Sequence, residues 1–207
     1  QIYVSEGYTE RDAAKQILIN NLFGLDIDDR AYQLSYFALM MKARKYNRRI
    51  LEESIELNIC SIQESNPIPM RLIELISNND KEVYEHLEYL YQTFKDAKEY
   101  GSILNVKAID YDMIYELVSQ FEQSITDDLF DLDVYNSQLP VLNKLIKQAI
   151  LLSHHYDLVI TNPPYMGNSG MNNKLIDYVK EYFPNSKSDL FAVFMEQSFK
   201  FLKKVGL

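Results

Sequence analysis

The sequence predicts an α/β protein that is mostly helical by residue count, with a few parallel strands and a large helical insertion. Three short segments with the composition of strands are separated by helical segments, an order typical of parallel pairing. The stretch 67–155 has helical patterning almost throughout. We therefore expect 1–66 and 156–207 to form the core of the fold, with 67–155 inserted between them.

Composition excludes several classes of protein. The 207 residues carry 21 Lys and Arg against 30 Asp and Glu, a net charge of −9, which excludes a basic nucleic-acid coat. Cys60 is the single cysteine, so no internal disulfide can form. No apolar run is longer than that of 36–41, which is far too short to span a membrane, and no signal peptide is visible. We expect a cytoplasmic protein with no membrane partner.

The first elements are predicted from capping residues. Thr9 followed by Asp12 resembles a capping box and predicts a helix to about Ile19. The segment 21–28 then predicts a short strand that ends in acidic residues.

A second helix is predicted to begin after Asp28 or Asp29 and to run to about Tyr46. Its apolar stripe has helical spacing, and we expect that stripe to face a core. The stripe consists of Leu34, Phe37, Ala38 and Met41.

The rest of the chain continues the alternation. A second strand is predicted over 57–63, and a third over 157–161. Between them the predicted helices are 71–77, 81–100 (ended by Gly101), 110–122 and 139–153, and a last helix covers about 188–204.

The segment Asn162-Pro163-Pro164-Tyr165 carries the sharpest chemical signal. It directly follows a predicted strand, at the edge of a parallel sheet where ligands bind. The prolines stiffen the loop and leave carbonyl acceptors, and the Asn162 side chain adds another acceptor. Two fixed acceptors suit an amine with two N–H donors, on whose ring Tyr165 could stack. The alternative is a plain Asn-Pro turn after a strand.

These residues also carry a resemblance. The segment DLVITNPPY (157–165) resembles the catalytic motif of S-adenosylmethionine-dependent amino-methyltransferases, and most of all the DNA adenine-N6 methyltransferases. The blocks 20–49 and 58–65 resemble the adenine methyltransferases of BREX phage-defence systems. The resemblance implies a Rossmann-like methyltransferase sheet, an S-adenosylmethionine cofactor and double-stranded DNA with a flipped adenine. It also implies other proteins of the defence system as partners.

The resemblance assigns the catalytic roles residue by residue. The Asn162 side chain and the Pro163 carbonyl would accept hydrogen bonds from the adenine N6 amine. Pro164 belongs to the same rigid motif, and Tyr165 would stack on the adenine.

The resemblance assigns cofactor contacts elsewhere. Asp26 would bind the ribose hydroxyls, as a carboxylate at a strand end can. Ile27 would pack on the cofactor's adenine, and Phe194, in the segment 189–194 (DLFAVF), would wall the pocket. Gln63 or Glu64 stands where the family reads the cofactor's adenine amine, although neither is the usual Asp.

The family's glycine-rich loop, which cradles the methionine end of the cofactor, has no counterpart in residues 1–20. The target-recognition region, expected downstream, is also missing. We therefore expect this chain to be the middle of a larger enzyme, with a sheet that lacks its central strand.

Three alternatives stay open. The Asp26 and Asp28 pair could hold a metal, although one ligand acid plus one helix cap is the favoured interpretation, and we expect no metal. The cations of 42–49 could touch DNA phosphates or only complement a helix end. Finally, the protein could methylate a protein glutamine or an RNA base amine, or the chain could be a non-catalytic helical interaction module.

Overall fold

A computed structural model describes residues 1–124 and 132–204, with the side chains of 132–136 left aside. The chain divides into two compact units, the first formed by residues 1–62 and the second beginning at Gln63. Each unit is described by itself.

The first unit contains a two-stranded parallel sheet and the helices next to it. Its elements in chain order are α1 (Ile2–Ser5), α2 (Glu10–Asn20), β1 (Phe23–Asp26), α3 (Asp29–Arg44) and β2 (Asn58–Ser61). Phe23 pairs with Asn58 at one end of the sheet, and Asp26 pairs with Ser61 at the other. The first two predicted strands and their parallel pairing are confirmed, with each strand shorter than expected. Cys60 is buried in β2.

The predicted helix starts are also confirmed. The Thr9 hydroxyl accepts a hydrogen bond from the Asp12 amide at 3.1 Å and so caps α2. The Asp28 carboxylate accepts from the Arg30 amide at 2.7 Å and caps α3. Hydrogen bonds from the side chain and backbone of Arg30 lower the pKa of Asp28, which keeps the cap charged.

The predicted direction of the apolar stripe on α3 is wrong. Leu34 and Phe37 are 69% and 61% exposed. A second apolar set on the opposite side of the helix, which includes Met40 and Ala43, packs into the core. Because α3 carries two apolar faces and only one can meet the sheet, periodicity alone did not identify the buried one. The buried core cluster is Leu18, Met40, Ala43, Ile50, Ile55, Leu57 and Ile59.

A cluster of polar and charged side chains surrounds Glu53 in this unit. Its carboxylate accepts from the Lys15 ammonium at 2.7 Å, the Asn47 side-chain amide at 3.1 Å and the Arg11 guanidinium at 3.4 Å. The Lys15 hydrogen bond is the main cause that lowers the pKa of Glu53 from 4.5 to about 2.

This cluster predicts a pH dependence of stability. A carboxyl group with a lowered pKa in the folded protein stabilises the fold while it is ionised. For Glu53 this stabilisation is fully present above about pH 4.5 and is lost as the pH falls towards about 2. We expect Glu53→Gln to lower the unfolding midpoint at pH 7 and to change it much less at pH 2. Thermal unfolding of the purified protein at both pH values measures this, with exposed Glu52→Gln as the control. An equal loss at both pH values would show that the charge of Glu53 is unimportant.

The second unit is built from helices. They are α4 (Met70–Ser77), α5 (Lys81–Thr93), α6 (Tyr111–Ser124), α7 (Leu132–Ser153), α8 (Asn173–Tyr182) and α9 (Leu190–Phe201). Short 3₁₀ turns cover Ala97–Glu99, Gly101–Ile103 and Asn168–Gly170. The predicted helices are present, although α7 begins at Leu132 rather than at Leu139, and α8 is an addition that the sequence analysis did not predict.

The predicted end of α5 is wrong. The helix stops at Thr93 rather than at Tyr100, because Phe94 turns into the core and Asp96 adopts a left-handed backbone with φ of 54°. Gly101, expected to end this helix, instead begins the second 3₁₀ turn with φ of +60°.

The predicted third strand over 157–161 is wrong. Within the described residues the segment has no ladder partner, and Leu158 and Ile160 are 73% and 87% exposed. Only the preceding residue, Tyr156, forms an isolated parallel bridge, with Leu202. A strand is stabilised by hydrogen bonds to a neighbouring strand, so a short apolar run without that neighbour does not form one.

An apolar cluster forms the core around α8 and α9. Its buried members come from α8, α9, the loops beside them and the 3₁₀ turn Gly101–Ile103: Ile103, Met171, Leu175, Val179, Phe183, Leu190 and Val193. In the ranges 1–124 and 132–204, no helix combines the length and the apolar character that crossing a membrane requires.

Candidate active site

The Asn162–Tyr165 segment lies at the surface of the second unit. Asn162, Pro164 and Tyr165 are exposed and Pro163 is half-buried. Tyr165 is 89% exposed, an unusual position for a large aromatic side chain. The segment therefore presents acceptors and a ring to solvent, where a ligand could reach them.

Backbone contacts fix the downstream end of this segment to the start of α9. The Leu190 amide donates to the Met166 carbonyl at 2.9 Å, and the Asn168 amide donates to the Ser188 carbonyl at 3.2 Å. Gly167 and Asp189 form an antiparallel bridge between these two contacts. We call this arrangement of 166–168 on 188–190 the loop clamp.

Asp189 has a second role at the loop clamp. Its carboxylate accepts from the Phe191 amide at 2.8 Å and caps α9. The first turn of α9 is thereby ordered immediately beside the candidate catalytic segment.

Two aromatic rings next to the loop clamp are stacked on each other. The rings of Tyr165 and Phe191 are nearly parallel, at 10°, with centroids 6.0 Å apart. Phe194, which the sequence analysis predicted as a cofactor wall, lies one turn further along α9 and packs half-buried against the apolar cluster. Phe191 was not singled out, although its position three residues before Phe194 places both on neighbouring parts of one helix.

The candidate ribose ligand lies at the end of β1 in the first unit. The Asp26 carboxylate is exposed and its Oδ1 accepts from the Asp28 amide at 2.9 Å, which fixes its orientation. The Asp26 carbonyl accepts from the Ile62 amide at 2.8 Å, which anchors the backbone beneath it. Ile27, predicted to pack on the cofactor, is exposed next to it. A carboxylate and an apolar side chain are thus both exposed to solvent at the end of β1.

The favoured interpretation of Asp28 is confirmed, since it caps α3. Across the two described stretches, no three His, Cys, Asp or Glu side chains approach closely enough to hold a metal ion.

Gln63 is held by a buried amide that sequence analysis missed. Its amide donates to Gln148 Oε1 at 2.8 Å, and its carbonyl accepts from Gln148 Nε2 at 2.9 Å. Gln148 is fully buried on α7 among apolar neighbours. The side-chain amide of Gln148 therefore pairs with both the N–H and the C=O of the Gln63 backbone. The alternative residue, Glu64, accepts from the Lys98 amide at 3.2 Å.

Comparison with known proteins identifies the class. The chain belongs to the Eco57I restriction-modification methylase family, whose model matches residues 20–207.

Two curated relatives narrow the similarity. The chain is 37% identical over 230 residues to the adenine-specific methyltransferase BrxX of Escherichia coli O9:H4 (strain HS), covering 99% of this chain and 18% of that protein. It is 39% identical over 212 residues to the adenine-specific methyltransferase PglX of Lacticaseibacillus casei (strain Zhang), covering 100% of this chain and 17% of that protein. The chain thus spans less than a fifth of the length of these relatives.

Proposed function

We propose that this chain carries the catalytic motif of an S-adenosylmethionine-dependent methyltransferase that acts on adenine N6 in double-stranded DNA, within a phage-defence or restriction-modification system. The observation that supports it most is the exposed Asn162–Tyr165 segment fixed by the loop clamp. Membership of a restriction-modification methylase family and two relatives named as adenine-specific methyltransferases support the choice of adenine.

The proposed chemistry at the amine uses hydrogen bonds alone. The Asn162 side-chain oxygen and the Pro163 carbonyl accept the two N–H bonds of the target amine. Accepting both would draw the nitrogen lone pair out of conjugation with the ring and aim it at the methyl group. The nitrogen–carbon bond would form as the methyl–sulfur bond breaks, sulfur would keep that electron pair, and one N6 proton would be released to solvent. Tyr165 stacks on the flipped base, which must first leave the duplex at a cost of a few kcal/mol. The rate gain then comes from positioning and electrostatics, with no covalent enzyme intermediate.

The residues present fit parts of the cofactor. S-adenosylmethionine supplies an electrophilic methyl group when bound. In the first unit, the oriented Asp26 carboxylate suits two vicinal hydroxyls, and exposed Ile27 suits an adenine ring. In the second unit, Phe194 offers an apolar wall and Gln63 a residue with a fixed backbone.

We further propose a Rossmann-like methyltransferase sheet to which β1 and β2 belong. The parallel pairing of these strands, with an acidic residue ending β1, supports this assignment. In this arrangement 1–66 and 156–207 carry the methyltransferase motifs, and 67–155 is a helical insertion.

The product of the reaction tests the proposed function. The protein as its genome encodes it, purified with the proteins that accompany it, is incubated with methyl-labelled S-adenosylmethionine and unmethylated duplex DNA, and the digested nucleosides are identified. We expect label in N6-methyladenine. Label in RNA or in protein glutamine in parallel reactions, with none in DNA, would replace DNA as the substrate. No transfer by a preparation that binds the cofactor would favour a non-catalytic helical interaction module.

Tyr165 provides a more specific prediction. Tyr165→Phe should keep nearly full activity because the ring remains, whereas Tyr165→Ala should lower the rate at limiting DNA by about 10- to 100-fold, since base stacking is lost. Initial rates of methyl transfer measure both. Tyr115→Ala, which removes an equally large exposed ring from α6, is the control. Equal rates for Tyr165→Ala and the wild type would exclude stacking by this ring.

A further inference from the structure

We propose that Phe191 is a positioning residue that holds the Tyr165 ring in place as the platform for the target base. This inference rests on the proposed function and extends it to a residue outside the Asn162–Tyr165 segment. The rings of Tyr165 and Phe191 lie within 10° of parallel with centroids 6.0 Å apart, an offset-stacked arrangement.

The loop clamp sets this arrangement. Tyr165 directly precedes Met166, and Phe191 directly follows Leu190, so the two aromatic residues flank the 2.9 Å hydrogen bond from Leu190 to Met166. The Asp189 cap fixes the Phe191 amide at the same place. The separation of the two rings is therefore fixed by backbone contacts rather than by the side chains alone.

Exposure shows why Tyr165 needs support. The side chain is 89% exposed, and its contact with Phe191 is its only ring contact in the described ranges. A solvent-exposed tyrosine without a neighbour samples several rotamers, and each must be given up when a base stacks on it. A ring that is already held loses less entropy on binding.

The position of Phe191 on α9 argues against a role in the core. The buried residues of this helix are Leu190, Val193 and Gln197, whereas Phe191 is 39% exposed. Phe191 also has no polar side-chain atom with which to bind a ligand. What the side chain offers at this site is a flat apolar face towards Tyr165.

A double-mutant cycle on the protein as its genome encodes it tests this inference. If Phe191 acts through Tyr165, its removal matters only while Tyr165 is present. We expect Phe191→Ala to reduce methyl transfer at limiting DNA by about 3- to 10-fold. The double variant Phe191→Ala/Tyr165→Ala should be no slower than Tyr165→Ala alone. Phe191→Tyr, which keeps a ring, should restore the wild-type rate.

Two controls separate this role from others. Phe199→Ala removes a 70% exposed ring from the same helix and should leave the rate unchanged. Calorimetric affinity for S-adenosylmethionine should be the same in Phe191→Ala and the wild type. The inference would be overturned if the rate reductions of the two single variants multiplied in the double variant. It would also be overturned if Phe191→Ala weakened the affinity for S-adenosylmethionine. A wild-type protein that does not methylate DNA would instead refute the proposed function, and this comparison keeps the two failures apart.

Discussion

Replacing Asn162 with alanine is expected to slow methyl transfer to DNA by about 100- to 1000-fold, the loss seen when one pre-oriented hydrogen-bonding group of a catalytic site is removed. The Asn162 side chain is exposed. In the alanine variant, the Pro163 carbonyl is the remaining one of the two proposed acceptors. One acceptor cannot hold both N–H bonds of the amine, so its lone pair returns to conjugation with the ring.

Asn162→Asp should be slowed less than Asn162→Ala, because a carboxylate keeps an acceptor at the same position. Single-turnover methyl transfer at saturating cofactor, with DNA from the same preparation, measures each variant. Folding should be unaffected, since exposed substitutions of this kind change stability by at most about 0.5 kcal/mol.

Asn185 offers a matched control for Asn162. It is an exposed asparagine of the same unit, in the turn that leads into the loop clamp, and it is outside the clamp residues 166–168 and 188–190. Asn185→Ala should methylate DNA at the wild-type rate. If Asn162→Ala did the same, the motif would be a turn that only packs, and the catalytic assignment would fall.

Local chemistry predicted the parts of the fold that depend on neighbouring residues. Thr9 and Asp28 cap their helices as expected, because a cap needs only a side-chain oxygen and an amide two or three residues away. The parallel pairing of β1 with β2 followed from their separation by a helix.

Tertiary contacts decided the features that the sequence analysis predicted wrongly. The exposed stripe with Leu34 and Phe37 has the same spacing as a buried one, so its direction depends on which side of α3 meets the sheet. The apolar run within 157–161 has strand composition, yet a strand also needs a partner, and composition contains no information about that partner. Helix α8 did have a signal, in the spacing of Leu175, Val179 and Phe183.

The candidate site also contains residues that the sequence reveals and residues that only tertiary contacts reveal. The Asn162–Tyr165 segment is contiguous and could be recognised from sequence. Phe191 and Gln148 act on residues far away along the chain: Gln148 lies 85 residues from Gln63, with which it exchanges two hydrogen bonds. No periodicity or spacing rule connects such residues, so only the folded chain reveals them.

The largest loss of stability is expected from Phe183→Ala. Phe183 is fully buried in the apolar cluster, and the Lys200 ammonium lies 4.0 Å from the centre of its ring. Replacing a buried phenylalanine with alanine costs about 3–5 kcal/mol, from lost transfer free energy and from the cavity left behind. At about 2–4 °C per kcal/mol for a protein of this size, the melting temperature should fall by about 6–20 °C.

This loss should reach the candidate site, because Met166 of the loop clamp packs against the same cluster. Methyl transfer by Phe183→Ala should therefore decline at a lower temperature than in the wild type while staying close to normal in the cold. Calorimetric melting and methylation rates over a temperature series measure the two effects together. Phe183→Leu should lose much less stability, since most of the volume is kept, and exposed Phe199→Ala should lose almost none. Equal melting temperatures for Phe183→Ala and Phe199→Ala would contradict the stability prediction. Methyl transfer with the wild-type temperature dependence in Phe183→Ala would mean that this cluster does not support the loop clamp.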